Sequence, residues 1–213
     1  MSTLTKFALG MMGQLRPKPA RGDAAPHIAL PSPETTGGMP LMDALSKRHS
    51  ARDFQPKELP LSVLSGLLWA AYGKNRPDGR TAPSALNAQE IDLYVALPSG
   101  TFIYDATANQ LDLITAADLR RVTGYQDFVD DAPLDLIFVT DQSRMKLVPV
   151  EQRESYASVA AGAIAQNVYL FAASSGLACV IRAWIDRDAI AKALGTSHDQ
   201  RVLLSQTVGY PKS

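Results

Sequence analysis

Five consecutive residues, Arg48-His49-Ser50-Ala51-Arg52, have the clearest chemical potential in this chain. Guanidinium groups bind phosphate oxygens in pairs, and Ser and His can add further hydrogen bonds. The segment follows a helix-like run, so the cationic side chains would have to overcome the negative end of the helix dipole. The pattern therefore predicts a phosphate site. A solvated basic turn that closes a helix is an equally open interpretation, because short basic runs are common.

Composition indicates a globular protein without a general affinity for polyanions. The 213 residues suffice for one domain with a substantial core, and 46% apolar with 20% charged residues is a soluble composition. Lys plus Arg equals Asp plus Glu, at 21 each. This balance argues against a nucleic-acid-binding protein and leaves room for one small basic pocket.

Metal, disulfide and membrane functions find little support in the sequence. Cys179 is the only cysteine and lies in an apolar run, so we expect a buried and inert thiol. The three histidines are far apart and show no metal-ligand spacing. Residues 7–15 are too few to span a membrane, and Gly10, Gly13 and Gln14 interrupt them. We therefore expect a cytoplasmic protein without metal, nucleic-acid or membrane partners.

The chain divides near residue 40. Residues 16–40 are rich in Pro and Gly and show little periodicity. Residues 1–39 are therefore predicted to be an extended N-terminal arm that packs over a neighbour or stays mobile. Residues 40–213 are predicted to form the compact domain.

Hydrophobic periodicity predicts an α+β fold for this domain, a central mixed sheet flanked by helices. Helices are expected at 40–47, 62–72, 155–175 and 187–194. The third is apolar nearly all round, so we expect it to be buried and to form the core of a dimer. Strands are expected at 91–97, 101–104, 111–114, 136–139, 179–181 and 202–208, and residues 74–82 are expected to form a loop.

Several short motifs, taken in order, resemble the nitroreductase superfamily and come closest to its SagB-like branch, which includes dehydrogenases that oxidise peptide azolines. They are KRHSARDF at 47–54, LLWAAYG at 67–73, RTAPSA at 80–85, GAIAQN at 162–167, SGL at 175–177 and VGYP at 208–211. The resemblance covers roughly residues 40–211. It implies a homodimer that binds FMN without a covalent bond at its interface.

The resemblance also implies roles for individual residues in holding FMN. Arg48, His49, Ser50 and Arg52 match the segment that holds the phosphate and the ribityl chain. Lys212 follows the Gly-Tyr-Pro ending and could add charge near the phosphate, or could be a frayed terminal residue.

A second set of residues is implied to lie near the isoalloxazine ring. Pro83, Ser84 and Ala85 match the loop beside this ring, and the fixed φ of Pro83 would set its path. Asn87 could hydrogen-bond the polar edge of the flavin, or could be a turn residue. Gln126 lies where SagB-like members often have a glutamine near the cofactor.

One stretch departs from the family pattern. Many nitroreductases carry a Glu-Gly-Phe segment whose backbone lies near flavin N5, and the matching residues here are Arg182, Ala183 and Trp184. Ala183 and Trp184 are expected to border the cofactor, with Trp184 either a pocket wall or ordinary core. Arg182 replaces the acidic residue and is expected to bias the substrate pocket toward anionic acceptors. Residues 86–89 also lack the Tyr and Pro common in the SagB-like branch, which weakens an azoline-oxidase assignment.

The activity that these expectations imply is an FMN-dependent oxidoreductase. It would use NAD(P)H as electron donor and reduce nitroaromatic or quinone-like small molecules in ping-pong turnover. No catalytic side chain is expected, because flavin N5 carries the hydride. Two alternatives remain open: a SagB-like dehydrogenase that oxidises a peptide or heterocycle, and a flavin-binding protein without turnover.

Overall fold

The computed structural model describes residues 1–22 and 24–212. The helices are α1 (Thr3–Met11), α2 (Leu41–Lys47), α3 (Leu61–Tyr72), α4 (Val150–Ser174) and α5 (Arg187–Leu194). The strands are β1 (Lys18–Pro19), β2 (His27–Ala29), β3 (Lys74–Arg76), β4 (Gly79–Arg80), β5 (Ile91–Leu97), β6 (Gly100–Asp105), β7 (Gln110–Thr115), β8 (Ala117–Asp118), β9 (Leu134–Asp141), β10 (Ala178–Arg182) and β11 (Gln200–Gly209).

A seven-stranded sheet, in the order β10-β11-β9-β5-β6-β7-β2, forms the centre of the fold. Each of its pairings is antiparallel. The continuous apolar run in β9 is explained by burial on both faces. Leu136 and Phe138 lie in a core shared with α3 and α4, whereas Ile137 and Val139 lie in a second core shared with α5. The predicted α+β fold with a central sheet and flanking helices is confirmed. The prediction of a mixed sheet is wrong, because all the pairings in this sheet are antiparallel.

The helix α4 packs one face against the sheet and leaves another face open. Ile164 and Val168 are fully buried, so α4 is a core helix although its length and apolar composition would also fit a membrane span. Val159 is 69% exposed, and a Cβ atom added at Gly162 would meet no atom within 4 Å. A single chain therefore covers this helix only in part, and its burial in the core of a dimer stays a prediction.

The N-terminal segment is more regular than its composition predicts. Residues 3–11 form α1, and β2 pairs with β7 as the edge strand of the main sheet. The description of residues 1–39 as an extended arm is thus wrong for these parts, which pack on the chain itself. The boundary at residue 40 stays a prediction. Residues 74–82 are also not a plain loop, because β3 and β4 form a small hairpin there.

Candidate functional site

The basic segment begins where α2 ends and presents its donors to solvent. The Arg48 backbone N–H donates to the last turn of α2 at Ala44 O (2.9 Å), and its guanidinium carbon lies 5.1 Å from the centre of the Tyr169 ring. His49, Ser50 and Arg52 are exposed. Within residues 1–22 and 24–212, no carboxylate lies within 4.0 Å of Arg48 or Arg52. These cationic donors are available to an anion.

The C-terminal residues join the basic segment. Phe54 and Pro211 form an isolated antiparallel bridge. The backbone N–H of Lys212 donates to Asp53 O (3.2 Å), so Lys212 sits beside Arg52 in the fold although 160 positions separate them in sequence. This backbone contact is consistent with the prediction that Lys212 adds a positive charge near the basic segment.

Tyr169, on α4, joins the basic segment to the edge strand β10, and the sequence analysis missed it. Its hydroxyl is 2.8 Å from Ser50 Oγ and accepts a hydrogen bond from Ile181 N (3.0 Å). A signal was available, because a tyrosine in an apolar helix usually finds a polar partner for its hydroxyl. Ser50 is therefore held by a tyrosine that is itself fixed by the sheet.

The free edge of β10 adds backbone polar groups beside Ser50 and Tyr169. Cys179 O accepts from Ala51 N (3.0 Å), and Ile181 N donates to Tyr169, so residues 179 and 181 direct backbone groups away from β11. Ala183 follows β10 directly, and its N–H would be next on the same edge if the alternation of the strand continued for one more residue. This is consistent with the predicted backbone role of Ala183. The Cys179 thiol is buried, as predicted, and burial raises its pKa to about 12, which favours the unreactive thiol over the thiolate.

A separate turn before β5 contains the residues predicted to lie near the flavin ring, Pro83, Ser84, Ala85 and Asn87. Ser84 Oγ donates to Glu90 Oε2 (2.7 Å), so its hydroxyl serves the turn itself. Asn87 has a positive φ of 53° and its amide donates to Asp78 O (2.7 Å). Of the two interpretations of Asn87, the turn residue is the one the structure shows.

In a single chain, α4 separates this turn from the basic segment. Asn167 Nδ2 donates to Thr81 O (3.3 Å), while Tyr169 contacts Ser50. Residues two positions apart on a helix point about 200° apart. The two predicted parts of the site therefore lie on opposite sides of α4.

Two cavities lie beside these parts. A cavity of about 820 Å³ lies between α2, α3, α4 and residues 32–39, and Thr81 and Asn167 contribute to its wall. A much smaller one, about 30 Å³, touches Arg48, His49 and Tyr169. Cofactor pockets usually measure about 300–1,000 Å³, so the basic segment alone borders too little enclosed space for a whole flavin.

Gln126 lies beneath α1 rather than beside the basic segment. Its backbone oxygen accepts a hydrogen bond from Lys6 Nζ (2.9 Å), and Lys6 also pairs with Asp130 at 3.0 Å. Lys6 is fully buried, and desolvation lowers its pKa while Asp130 opposes this shift. The Gln126 side-chain oxygen is buried without a hydrogen-bond partner in the described structure. A role of Gln126 in holding a cofactor stays a prediction.

The substrate-pocket role predicted for Arg182 is incompatible with its position. Its side chain is 4% exposed and pairs with the fully buried Asp135 at 2.5 Å. It also donates to Thr123 O (2.6 Å) and Thr207 Oγ1 (2.6 Å). Arg182 is thus a structural residue whose charge is neutralised by Asp135, because its side chain is buried against Asp135 and Thr207 and is not exposed at a pocket.

Trp184 is neither core nor fully exposed. It is 47% exposed, and its ring lies 5.3 Å from that of Phe7 and 5.2 Å from that of Tyr125. The interpretation of Trp184 as ordinary core is wrong. Instead, α1 supplies Phe7 to an aromatic surface cluster immediately beyond the free edge of β10.

Comparison with known proteins gives the chain its family. The sequence model of the nitroreductase family matches residues 45–210. A candidate nitroreductase of Methanocaldococcus jannaschii is 32% identical over 151 residues, which is 66% of this chain and 76% of that protein.

Solved structures agree with this result. A crystal structure of a candidate nitroreductase from Ralstonia eutropha JMP134 is 49% identical, with a TM-score of 0.89 over 93% of this chain and 96% of the other. One from Anabaena variabilis is 22% identical with a TM-score of 0.74, covers 87% of this chain and 42% of the other, and supports the fold alone. On the match to residues 45–210 and on the relatives just described, this chain belongs to the nitroreductase family.

Proposed function

We propose that this protein is an FMN-dependent oxidoreductase whose flavin phosphate is held by Arg48, Arg52 and Lys212. The observation that carries the proposal is that the backbone bond from Lys212 to Asp53 brings a third cationic residue to the segment that holds Arg48 and Arg52. None of the three has a carboxylate partner among the described residues, and Ser50 with its hydrogen-bonded Tyr169 lies in the same segment. Guanidinium groups match phosphate geometry, and Ser50 adds a hydroxyl fixed in place by Tyr169. The residues present therefore fit a phosphate-bearing cofactor.

The remaining part of the site is proposed to come from a second copy of the chain. In one chain, α4 separates the basic segment from residues 83–87, so neither part alone encloses a flavin ring. The open face of α4 presents Ser155, Val159, Gly162 and Gln166 at helical spacing. The small Gly162 permits close approach of another helix. A homodimer packed through this face would cover the apolar surface and complete the site.

Bound flavin would accept hydride from a donor and pass it to an acceptor. The chain's own residues supply binding, orientation and electrostatic tuning. The Ala183 N–H, at the free end of β10, is the backbone donor placed to face a ring that lies along this edge. We propose NAD(P)H as donor and nitroaromatic or quinone-like molecules as acceptors. Because donor and acceptor would share one face, turnover should be ping-pong.

Two alternatives keep the cofactor and change the reaction. A SagB-like dehydrogenase would take electrons from a peptide or heterocycle, and a flavin-binding protein would not turn over. Anaerobic addition of NADPH or NADH distinguishes them, since only the first proposal requires the flavin absorbance to bleach. We also propose a cytoplasmic location, where reduced nicotinamides are available.

The phosphate assignment is tested by the double variant Arg48→Ala with Arg52→Ala. Losing a desolvated ion contact costs on the order of 2–5 kcal/mol, so the purified variant should be folded and colourless. A matched control removes two exposed positive charges elsewhere, Lys192→Ala with Arg201→Ala, and should retain FMN. Stoichiometric FMN in the first variant would refute the assignment.

The composite site is tested by Val159→Glu, which places a charge on the open face of α4. Light scattering should show a dimer for the wild type and a monomer for the variant. FMN should be lost together with the dimer, because each chain alone holds only half of the site. A monomeric variant that still binds FMN as tightly as the wild type would contradict the shared site.

A further inference from the structure

The turn formed by residues 84–89 has a strained backbone. Leu86, Asn87 and Gln89 have φ angles of 51°, 53° and 48°, in the left-handed region. Asn tolerates this region, but a bulky residue such as Leu rarely adopts it. The Leu86 side chain is also 69% exposed, so burial of that side chain does not compensate for the strain. Strain of this kind persists only where the surroundings impose it, and it concentrates at functional sites.

Glu90 closes this turn from inside the protein. Its Oε2 accepts from Ser84 Oγ (2.7 Å), and Ser84 Oγ in turn accepts from Gln89 N (2.7 Å). One buried carboxylate thus connects the two ends of the turn through one hydroxyl. The Glu90 backbone oxygen accepts from Asp141 N (2.7 Å), at the end of the central strand β9. The connection is therefore anchored on a strand with neighbours on both sides in the main sheet.

Stability alone does not account for a glutamate at this position. Glu90 is 0% exposed, and no cation lies within 4.0 Å of its carboxylate among residues 1–22 and 24–212. Its Oε1 has no hydrogen-bond partner there, and neither has the buried hydroxyl of Tyr72. Burial and the nearby negative charge of Glu90 raise the pKa of Tyr72 to about 12. An isolated buried carboxylate is unfavourable, so a residue of this type indicates a role other than packing.

We infer that Glu90 is a positioning residue, which holds the 84–89 turn in its strained conformation before any ligand binds and so presents Leu86 and Ala85 to the flavin ring. The exposed apolar Leu86 at the tip of the turn suits contact with a flat ring. A preformed turn loses little conformational entropy on binding, which strengthens affinity. This inference rests on the proposed function, because it takes the flavin as the ligand that the turn meets.

The first test measures FMN affinity of apoprotein by quenching of flavin fluorescence, together with the melting temperature of the same apoprotein. Glu90→Ala should weaken FMN binding about tenfold or more, the effect of losing one hydrogen bond to a buried charged group. Glu90→Gln should restore affinity to within about threefold, because its amide oxygen still accepts from Ser84. Unchanged affinity in Glu90→Ala, or no rescue by Glu90→Gln, would overturn the inference.

The second test separates positioning from ordinary stabilisation. Leu86→Gly releases the strain, so the apoprotein melting temperature should hold or rise while FMN affinity falls several-fold. A merely structural turn would move both quantities in the same direction, and that result would refute the inference. Asn109→Gly alters a left-handed residue in the β6–β7 hairpin and should leave FMN affinity unchanged.

The outcomes distinguish this inference from the proposed function. Wild-type protein that binds no FMN removes the proposed function itself. Wild-type protein that binds FMN, with Glu90→Ala binding equally well, removes only the positioning role. If Glu90→Ala does not fold, the Leu86→Gly comparison decides alone.

Discussion

Replacement of Arg182 by Ala should be primarily a stability defect. The substitution removes the cation that pairs with Asp135 at 2.5 Å, and the Asp135 side chain is 0% exposed. It also removes the donors to Thr123 O and Thr207 Oγ1. The Asp135 carboxylate would remain buried, with side-chain hydrogen bonds from the hydroxyls of Thr123 and Thr207 but without a paired cation within 4.0 Å among the residues that the structure describes.

The size of the effect follows from this burial. Breaking a buried ion pair by removing one partner costs about 3–5 kcal/mol, against a total stability of roughly 5–15 kcal/mol for a domain. With a urea m-value of about 2–3 kcal/mol/M for a chain of this size, the midpoint should fall by about 1–2.5 M. The melting temperature should fall by roughly 6–20 °C. Both measurements should use apoprotein, because bound cofactor shifts apparent stability.

A matched control and a second substitution sharpen the assay. Arg52→Ala removes an exposed guanidinium and should change the free energy of unfolding by less than about 0.5 kcal/mol, while it weakens FMN binding. Asp135→Asn should be less harmful in the Arg182→Ala background than alone, because an amide needs no counter-ion. A wild-type urea midpoint in Arg182→Ala, with a reduced preference for carboxylated acceptors, would refute this reasoning and return Arg182 to the substrate pocket.

Two further perturbations test other contacts. Tyr169→Phe removes the hydroxyl that joins Ser50 to Ile181 N, so it should lower the free energy of unfolding by roughly 1–3 kcal/mol and weaken FMN binding. The control Tyr156→Phe changes an exposed tyrosine on the same helix and should alter neither quantity; equal effects of both substitutions would contradict the role of the Tyr169 hydroxyl. Burial raises the pKa of the Cys179 thiol to about 12, so on raising the pH the thiol of the unfolded chain loses its proton before that of the folded chain. The free energy of unfolding should therefore fall as pH rises above about 8.5, and the loss should reach about 2 kcal/mol at pH 10. The difference in free energy of unfolding between wild type and Cys179→Ala, measured with urea, should therefore change by this amount between pH 8 and 10. A difference that stays constant would show that the thiol does not contribute.

Much of the fold could be predicted from local patterns. The spacing of Leu64, Leu67 and Leu68 identified α3, and the helix ends at Gly73 as expected. The alternation in 91–97 identified β5, and the continuous apolar run identified the centre of β9. These predictions succeeded because burial on one face imposes a period on the sequence, and burial on both faces imposes a continuous apolar run.

The failures have a common physical origin in contacts between distant positions. Composition marked residues 1–39 as an arm, yet α1 is fixed by Lys6, which reaches the backbone oxygen of Gln126 and the carboxylate of Asp130. No local pattern specifies that pairing.

The sequence by itself determined the helices α2 to α5 and six of the seven strands of the main sheet. It also determined that a basic segment follows a helix, and which family the motifs resemble. Only the tertiary structure decided what each charged side chain does. Arg52 and Arg182 are chemically identical, yet one is exposed beside Lys212 and the other is neutralised by Asp135 inside the sheet. The free energy of a charge depends on its solvent exposure and on its counter-ion, and neither is a property of the residue or of its neighbours in sequence.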